Sequence, residues 1–450
     1  MKQAPSSPRR GCLLVLLDGL ADRSFPELGH RTPLQAAATP NLDRLAALGS
    51  CGHFHAFVPG AALPSEEAHF FMMGYSRQEF PGRGYLEALG EGMEFADEDV
   101  LLLAHLAMYD RQGDHLVLRK KKPKIDEAEA APLMAAVSDY RGPKGEVFFR
   151  RARGVSGVVG LRGTAAAAVA PWITDSDPML PGRPLLMPLP WEGREEDPGA
   201  SNACRLLAGY LRHAHQVLAA HAVNTQRARQ GLPPVNGVLT QRAGRKLPIP
   251  TLHERWGLEV LSLASSPIYR GIFLAMGAAA ELVAEDPDPG QDLAHKLDLA
   301  LASLGRFDLI HVHSKAPDEA AHEKDPRLKL AVIESLDRGL AGLVEQMEVR
   351  PGLVVAVVGD HATPSGGELI HSGEFSPLLI AGPGLWRDGS GGFDEVAAAR
   401  GALGTLRGGE LMLFLLNLLD RVKLSGLRDN PRDLPFYPGP ARPLYLAEGE

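Results

Sequence analysis

Apolar residues along the chain fall into two kinds of pattern. Short unbroken runs end abruptly in polar residues at CLLVLL (12–17), DLIHVH (308–313), LVVAVV (353–358) and PLLIA (377–381). Strands buried on both faces read this way, because neither face needs polar side chains. Between them lie stretches with helical spacing, at 41–48 and at 328–347. In the second, Leu328, Val332, Leu336, Leu340 and Leu343 recur every three or four residues. Strand–helix alternation predicts an α/β fold, a core sheet flanked by helices. Chemistry in such sheets gathers just past the carboxyl ends of strands. Asp18, Asp318 and Asp360 all follow such ends.

The middle of the chain breaks this rhythm. Residues 99–125 read as short strands ending in the basic run LRKKKPKI, and 131–190 hold short apolar stretches among prolines. A long helix is predicted over about 200–230, stopped by Gly231 and Pro233. The expectation is a core built from 1–98 and 233–450, with 99–232 inserted as a smaller α+β domain. The proline-rich end, NPRDLPFYPGPARPLYLAEGE, reads as a surface wrap, and the first residues as a disordered tail.

Composition narrows the function classes. The net charge of −8 argues against a general affinity for nucleic acid or acidic membranes. The basic residues before CLLVLL resemble a secretion signal, but Asp18 interrupts the run and no small-residue cleavage pattern follows. No stretch approaches the roughly 18 apolar residues needed to span a bilayer. Cys12, Cys51 and Cys204 are odd in number, widely spaced and without a CxxC pair, which points to a reducing cytoplasm. The sequence leaves the oligomeric state open.

Four short segments carry candidate chemistry. In DEAAH, Asp318 and His322 stand four apart, so on a helix they share a face and can hold one ion. In GDHATPSGGELIHSGE, Asp360 and His361 follow a buried strand and His371 returns ten residues after His361. Asp18-Gly19 ends the first strand, and Ser65 sits in LPSEEAH. Each has a plain structural alternative: Asp18-Gly19 as a turn, Ser65 or Asp318 as a helix cap, the histidines as surface groups. Together they supply oxygen and imidazole ligands without thiolates, a set suited to Mn²⁺, Mg²⁺ or Zn²⁺. Two such ions about 4 Å apart stabilise both the attacking and the leaving oxygen of a phosphoryl group. A serine on one of them becomes a usable nucleophile.

At these residues the chain resembles the cofactor-independent (2,3-bisphosphoglycerate-independent) phosphoglycerate mutases of the archaeal type, within the alkaline phosphatase superfamily. The resemblance runs through LLDGLADR, TPLQAAATPNLDRLA, GRGYLEALGEG, ITDSDP, HVHSKAPDEAAH, VVGDHATP and HSGEFSPLLIAG. It implies an alkaline-phosphatase-like core with an inserted substrate-binding domain. It also implies two divalent ions, Mn²⁺ foremost. Asp318, His322 and His371 would hold one; Asp18, Ser65, Asp360 and His361 would surround the other. Ser65 would be the phosphoserine-forming nucleophile and Lys315 a binder of phosphoryl oxygens. The implied reaction moves phosphate between 3-phosphoglycerate and 2-phosphoglycerate, and the implied partner is a small phosphorylated metabolite.

Departures from the family gather where substrate would be gripped. The nucleophile's usual Gly-Ser-Asp-Thr context is Pro64-Ser65-Glu66-Glu67 here. A Phe-Arg-Cys-Asn segment aligns with Leu102-Leu103-Ala104-His105, and a His-Arg pair with Val155-Ser156. An Arg-Arg-Ala-Gly-Arg segment has become Lys120-Lys121-Lys122-Pro123-Lys124, which keeps charge but loses the bidentate fork. Arg83, Arg162, Arg242 and Arg245, with Lys121 and Lys124, remain as candidate anion contacts. These changes leave room for a phosphatase or a homoserine-kinase-like phosphotransferase of the same superfamily, without a GxxxxGK[ST] loop. A non-catalytic binding protein is disfavoured, because it has no physical reason to keep seven metal-site side chains.

Overall fold

The computed structural model describes residues 10–422, so the expected disordered tail and the proline-rich wrap lie outside the described residues. The chain divides into two compact units. One takes the residues up to Phe80 and from Ile249 onward; the other is Pro81–Pro248.

The first unit is built on eight strands. Side by side they run Ala279–Leu282, Val260–Ala264, Leu309–Ser314, Gly11–Leu17, Leu353–Val358, Ser376–Ala381, Gly49–His55 and Gly404–Arg407. All four apolar runs seen in the sequence are strands here. Gly11–Leu17 lies between Leu309–Ser314 and Leu353–Val358, parallel to both, with Leu17 opposite Ser314 and Leu16 opposite Val358. The three strands therefore end together, and Asp18, Lys315 and Asp360 leave from one edge. Ser376–Ala381 runs antiparallel to Leu353–Val358, so it begins at that same edge and brings the preceding loop, with His371, back to it.

Burial explains the apolar runs. Leu13, Val15 and Leu17 pack in one cluster with Leu261, Ile310, Val312, Val355, Val357 and Leu379. Helices close over it. Leu336, Leu340 and Leu343 are buried as their spacing predicts, whereas Leu328 is exposed. The expected helix over 328–347 is two helices, Pro326–Gly339 and Ala341–Val349. Gly339 ends the first where a Cβ would collide with the Gly290 carbonyl at 2.4 Å, so close helix–helix contact fixes the glycine.

The second unit is a mainly antiparallel sheet, with Val100–Gln112 paired to His115–Lys121, Ser156–Gly163 and Gly237–Gly244. Its core includes Leu102, Leu106, Val159, Leu161, Leu207 and Tyr210. The helix expected over 200–230 is likewise two, Pro198–Ala219 and Ala222–Arg229. His221 caps the second by accepting from the Val223 N–H. The unit is wider than the 99–232 expected from sequence, for two reasons. Gly237–Gly244 is one of its strands, and the helix Arg83–Glu91 lies so close to Val100–Gln112 that a Cβ on Gly84 would sit 2.0 Å from the Leu101 carbonyl oxygen. Among the described residues no helix is long and apolar enough to cross a membrane.

Candidate metal centre

Ser65 opens the helix Ser65–Met72, with Pro64 as its cap residue and no side-chain capping bond. A capping serine would turn its hydroxyl onto its own backbone. Ser65 does not: its Oγ lies 2.9 Å from His361 Nε2 and 3.4 Å from Asp18 Oδ1. Asp318 is likewise inside its helix, Ala316–His322, and caps nothing. One turn on, His322 Nε2 stands 3.2 Å from Asp318 Oδ2, and His371 Nε2 stands 3.4 Å from Asp318 Oδ1.

Two groups of donor atoms result, each with its atoms within 4.8 Å of one another. Asp318, His322 and His371 form one; Asp18, Asp318 and His361 form the other. Asp318 belongs to both. Asp360 adjoins the second group, its Oδ2 lying 3.3 Å from His361 Nε2. The seven residues singled out in the sequence thus meet in one place.

The donor chemistry fits divalent cations. There is no thiolate, and the ligand set is carboxylate, imidazole and hydroxyl. Asp360 Oδ1 accepts from the backbone N–H of Gly19 at 3.1 Å and of His361 at 3.0 Å, while its buried Oδ2 has no hydrogen-bond partner. Burying a carboxylate oxygen unpaired is costly, and a cation removes that cost. The tautomer of His371 also suits a ligand. Its Nδ1 lies 2.6 Å from the Leu63 carbonyl, which can only accept, so Nδ1 carries a proton, and Nε2, which faces Asp318, is the nitrogen left to take an ion in exchange for its own proton.

Burial and charge set the protonation states. Burial pushes the Asp18 carboxyl up, but Lys315 and the hydrogen bond from His313 outweigh it and hold it below the usual range. Burial acts the same way on Asp318, and hydrogen bonds from His322 and His371 with the Lys315 charge again win. Asp360 goes the other way, raised by burial and then by the Asp18 charge. Burial holds the His361 imidazole down to about 4. Lys315 is disfavoured as a cation by burial, yet Asp18, Tyr269 and Asp318 raise it well above an ordinary lysine. Its Nζ donates to Asp318 Oδ2 at 2.9 Å and Asp18 Oδ2 at 3.4 Å, bridging the two carboxylates.

Sequence reasoning missed four groups at this site. Tyr269 donates to Asp18 Oδ2 at 2.5 Å, and His313 Nε2 lies 3.1 Å from the same oxygen. Thr363 Oγ1 donates to Asp318 Oδ1 at 2.8 Å. His69, one turn after Ser65, places Nδ1 2.7 Å from the Ser65 carbonyl. The signals were two: a histidine one turn from the serine, and two imidazoles on one face of an otherwise apolar strand. Tyr269 gave none.

The candidate anion contacts lie in the second unit. Arg162 forks onto the buried Asp99, with nitrogens 2.8 and 2.6 Å from its two oxygens, and also reaches Glu146. Lys121 pairs with Asp177 at 3.2 Å and Arg83 stands 3.8 Å from Glu87. Arg245 bonds through its backbone to Pro81. Arg242 has φ +53°, a left-handed conformation held by its N–H donating to Asp175. Lys124 is exposed.

Comparison with known proteins gives a consistent picture. Residues 46–224 match the family model described as 2,3-bisphosphoglycerate-independent phosphoglycerate mutase. A Methanocaldococcus jannaschii protein of that name, numbered 2, is 35% identical over 97% of this chain and 99% of its own. Its Methanopyrus kandleri counterpart is 35% identical over 93% of this chain and 98% of its own. Among solved structures, the cofactor-independent phosphoglycerate mutase from Thermoplasma acidophilum is 27% identical with a TM-score of 0.64, covering 91% of this chain and all of that one. A Pyrococcus horikoshii protein is 26% identical with a TM-score of 0.74, covering 93% and all.

Proposed function

We propose that this chain, which belongs to the 2,3-bisphosphoglycerate-independent phosphoglycerate mutase family, interconverts 3-phosphoglycerate and 2-phosphoglycerate through a phosphoserine at Ser65. The observation that carries this reading is the placement of a serine hydroxyl, free of any capping bond, 2.9 Å from His361 and 3.4 Å from Asp18, at the edge of two donor groups. Asp318, His322 and His371 are proposed to hold one divalent ion, and Asp18, Ser65, Asp360 and His361 a second, with Mn²⁺ the first choice and Mg²⁺ or Zn²⁺ alternatives. Bound there, such ions lower the serine pKa and stabilise the charge on the phosphoryl oxygens.

Ser65 Oγ forms its bond to phosphorus as the bond from phosphorus to the 3-oxygen breaks, and the proton lost by the serine ends on the released 3-hydroxyl. Glycerate then turns, and its 2-hydroxyl attacks the phosphoserine, returning a proton to Ser65. Atoms balance with no other reactant. Lys315, cationic throughout because Asp18 and Asp318 flank it, binds phosphoryl oxygens in both half-reactions. Water has to be kept out while glycerate turns, since it would otherwise take the phosphate.

Arg83, Lys121, Lys124, Arg162, Arg242 and Arg245 are the proposed contacts for the substrate's anionic groups. Arg162 is the weakest of these assignments, because its guanidinium already neutralises Asp99 and Glu146. A cytoplasmic setting accords with three free, buried cysteines.

The test is to incubate the purified protein with Mn²⁺ and 3-phosphoglycerate and follow the phosphate by phosphorus NMR. A new 2-phosphoglycerate resonance is expected. Release of inorganic phosphate without it would overturn the mutase reading.

A further inference from the structure

The two oxygens of Asp18 keep different company. Oδ1 faces the groups proposed to share an ion with it, Ser65 Oγ at 3.4 Å and His361 Nε2 at 3.3 Å. Oδ2 accepts from the Tyr269 hydroxyl at 2.5 Å, lies 3.1 Å from His313 Nε2, and takes a longer contact from Lys315 Nζ at 3.4 Å. The carboxylate cannot rotate without breaking the bonds on Oδ2.

Tyr269 and His313 come from separate elements, the helix Pro267–Ala275 and the strand Leu309–Ser314. Their rings lie face to face at a tilt, centroids 3.7 Å apart. All three residues are buried. The Tyr269 hydroxyl also accepts from Lys315 at 3.3 Å, so the same group that holds Asp18 holds the lysine bridging Asp18 and Asp318. A ring–ring wall pinning one carboxylate oxygen leaves the other aimed in a single direction. Outer partners of this kind orient ligand carboxylates and account for much of a site's affinity.

We propose that Tyr269 and His313 are positioning residues that clamp Oδ2 of Asp18, so that Oδ1 is presented toward Ser65 and His361 as a single-oxygen metal ligand. The proposal rests on the reading that Asp18 and His361 hold a divalent ion. Both side chains act through Asp18, Tyr269 through Lys315 as well, and not directly on the substrate. The clamp sets how well the Ser65-side ion is held, and through it how often Ser65 is ready to react.

The test uses metal-free full-length protein titrated with Mn²⁺ by calorimetry, for the wild type, Tyr269→Phe, His313→Leu and His313→Gln. Melting curves of the metal-free forms and kcat and KM of the loaded forms accompany it. Tyr269→Phe and His313→Leu should each weaken one ion site by about 10–100-fold and leave the other unchanged. Their kcat should fall with KM held, and His313→Gln, which keeps an N–H donor, should recover most of the loss. Wild-type ion affinity and kcat in both Tyr269→Phe and His313→Leu overturn the clamp, as does a change confined to melting temperature. A wild type that takes up no Mn²⁺ removes the metal-site reading itself and the clamp with it. The two failures are therefore told apart by the wild-type titration.

Discussion

The backbone N–H of Gly19 donates to Oδ1 of Asp360 at 3.1 Å, tying the end of one central strand to the end of its neighbour. Gly19 has φ +64°, and a Cβ there would press on Thr363 Oγ1 at 2.5 Å, so the close approach is available to glycine alone. The bond uses up one Asp360 oxygen and leaves the other buried without a hydrogen bond, beside the His361 ring at 3.3 Å.

Asp360→Asn should therefore separate folding from ion binding. The amide oxygen can keep both backbone bonds, while the unpaired position loses its charge. Ion affinity should fall by more than the about 100-fold that loss of an outer partner costs. The metal-free protein should melt no lower than the wild type, because burial and the Asp18 charge both oppose ionisation of Asp360. Calorimetric titration and melting of the ion-free forms check both halves.

Ser65→Ala should abolish turnover and the capture of labelled phosphate on the protein. The serine makes no capping bond, so its helix should persist, and losing its buried contacts to His361 and Asp18 should cost no more than about 1–3 kcal/mol. Ion content should persist, since carboxylates and imidazoles supply most of the ligand set. Retained activity would remove the serine from the mechanism.

The proposed metal ligands stand out in the sequence because they break local rules. A buried apolar strand running into Asp360-His361 has no structural use for the imidazole, and Asp318 and His322 share a helix face. The strands were legible because burial on both faces leaves unbroken apolar runs such as Leu353–Val358. What stayed hidden depends on contacts between distant segments. Tyr269 meets Asp18 across 251 positions, and nothing in its own neighbourhood marks it. The helix breaks at Leu340 and at Ala220-His221 were equally silent, because apolar spacing continues through the first and histidine is an unusual cap at the second. The unit boundary was misplaced for a related reason: the pairing of Gly237–Gly244 with Val100–Gln112 is long-range.

Arg162→Ala should act on the second unit's stability more than on chemistry. Asp99 is buried, and its two oxygens receive the guanidinium fork. Removing the fork leaves the carboxylate only the Ala96 N–H, which Oδ2 accepts at 2.8 Å, and strands Oδ1, a loss of about 1–3 kcal/mol for an unsatisfied buried group. Because the arginine itself is partly exposed, water can replace some of the bond, and the lower half of that range is expected. A chemical-denaturation midpoint that falls while KM for 3-phosphoglycerate holds supports this role. A rise in KM at unchanged stability would return Arg162 to the substrate contacts.

Glu395 should make stability depend on pH away from the metal centre. Its carboxylate accepts from Thr32 Oγ1 at 2.7 Å and the Asp22 N–H at 3.2 Å, with Lys329 nearby and the His53 ring bonded to the Glu395 carbonyl. Burial pushes its pKa up to about 7, against the opposing hydrogen bonds and the Lys329 charge. A carboxyl raised in the folded state binds its proton more tightly there than in the unfolded chain. Its contribution is therefore complete below the ordinary glutamate pKa and is lost as pH rises from there through about 7. At about 1.4 kcal/mol per pH unit the whole loss is on the order of 3 kcal/mol. Glu395→Gln, which stays neutral, should be more stable than the wild type above pH 7 by up to that amount. The difference should shrink steadily toward acid and vanish near pH 4. Melting temperatures of the two proteins measured across pH 4–8 decide it, and parallel curves would mean that Glu395 titrates as an ordinary glutamate.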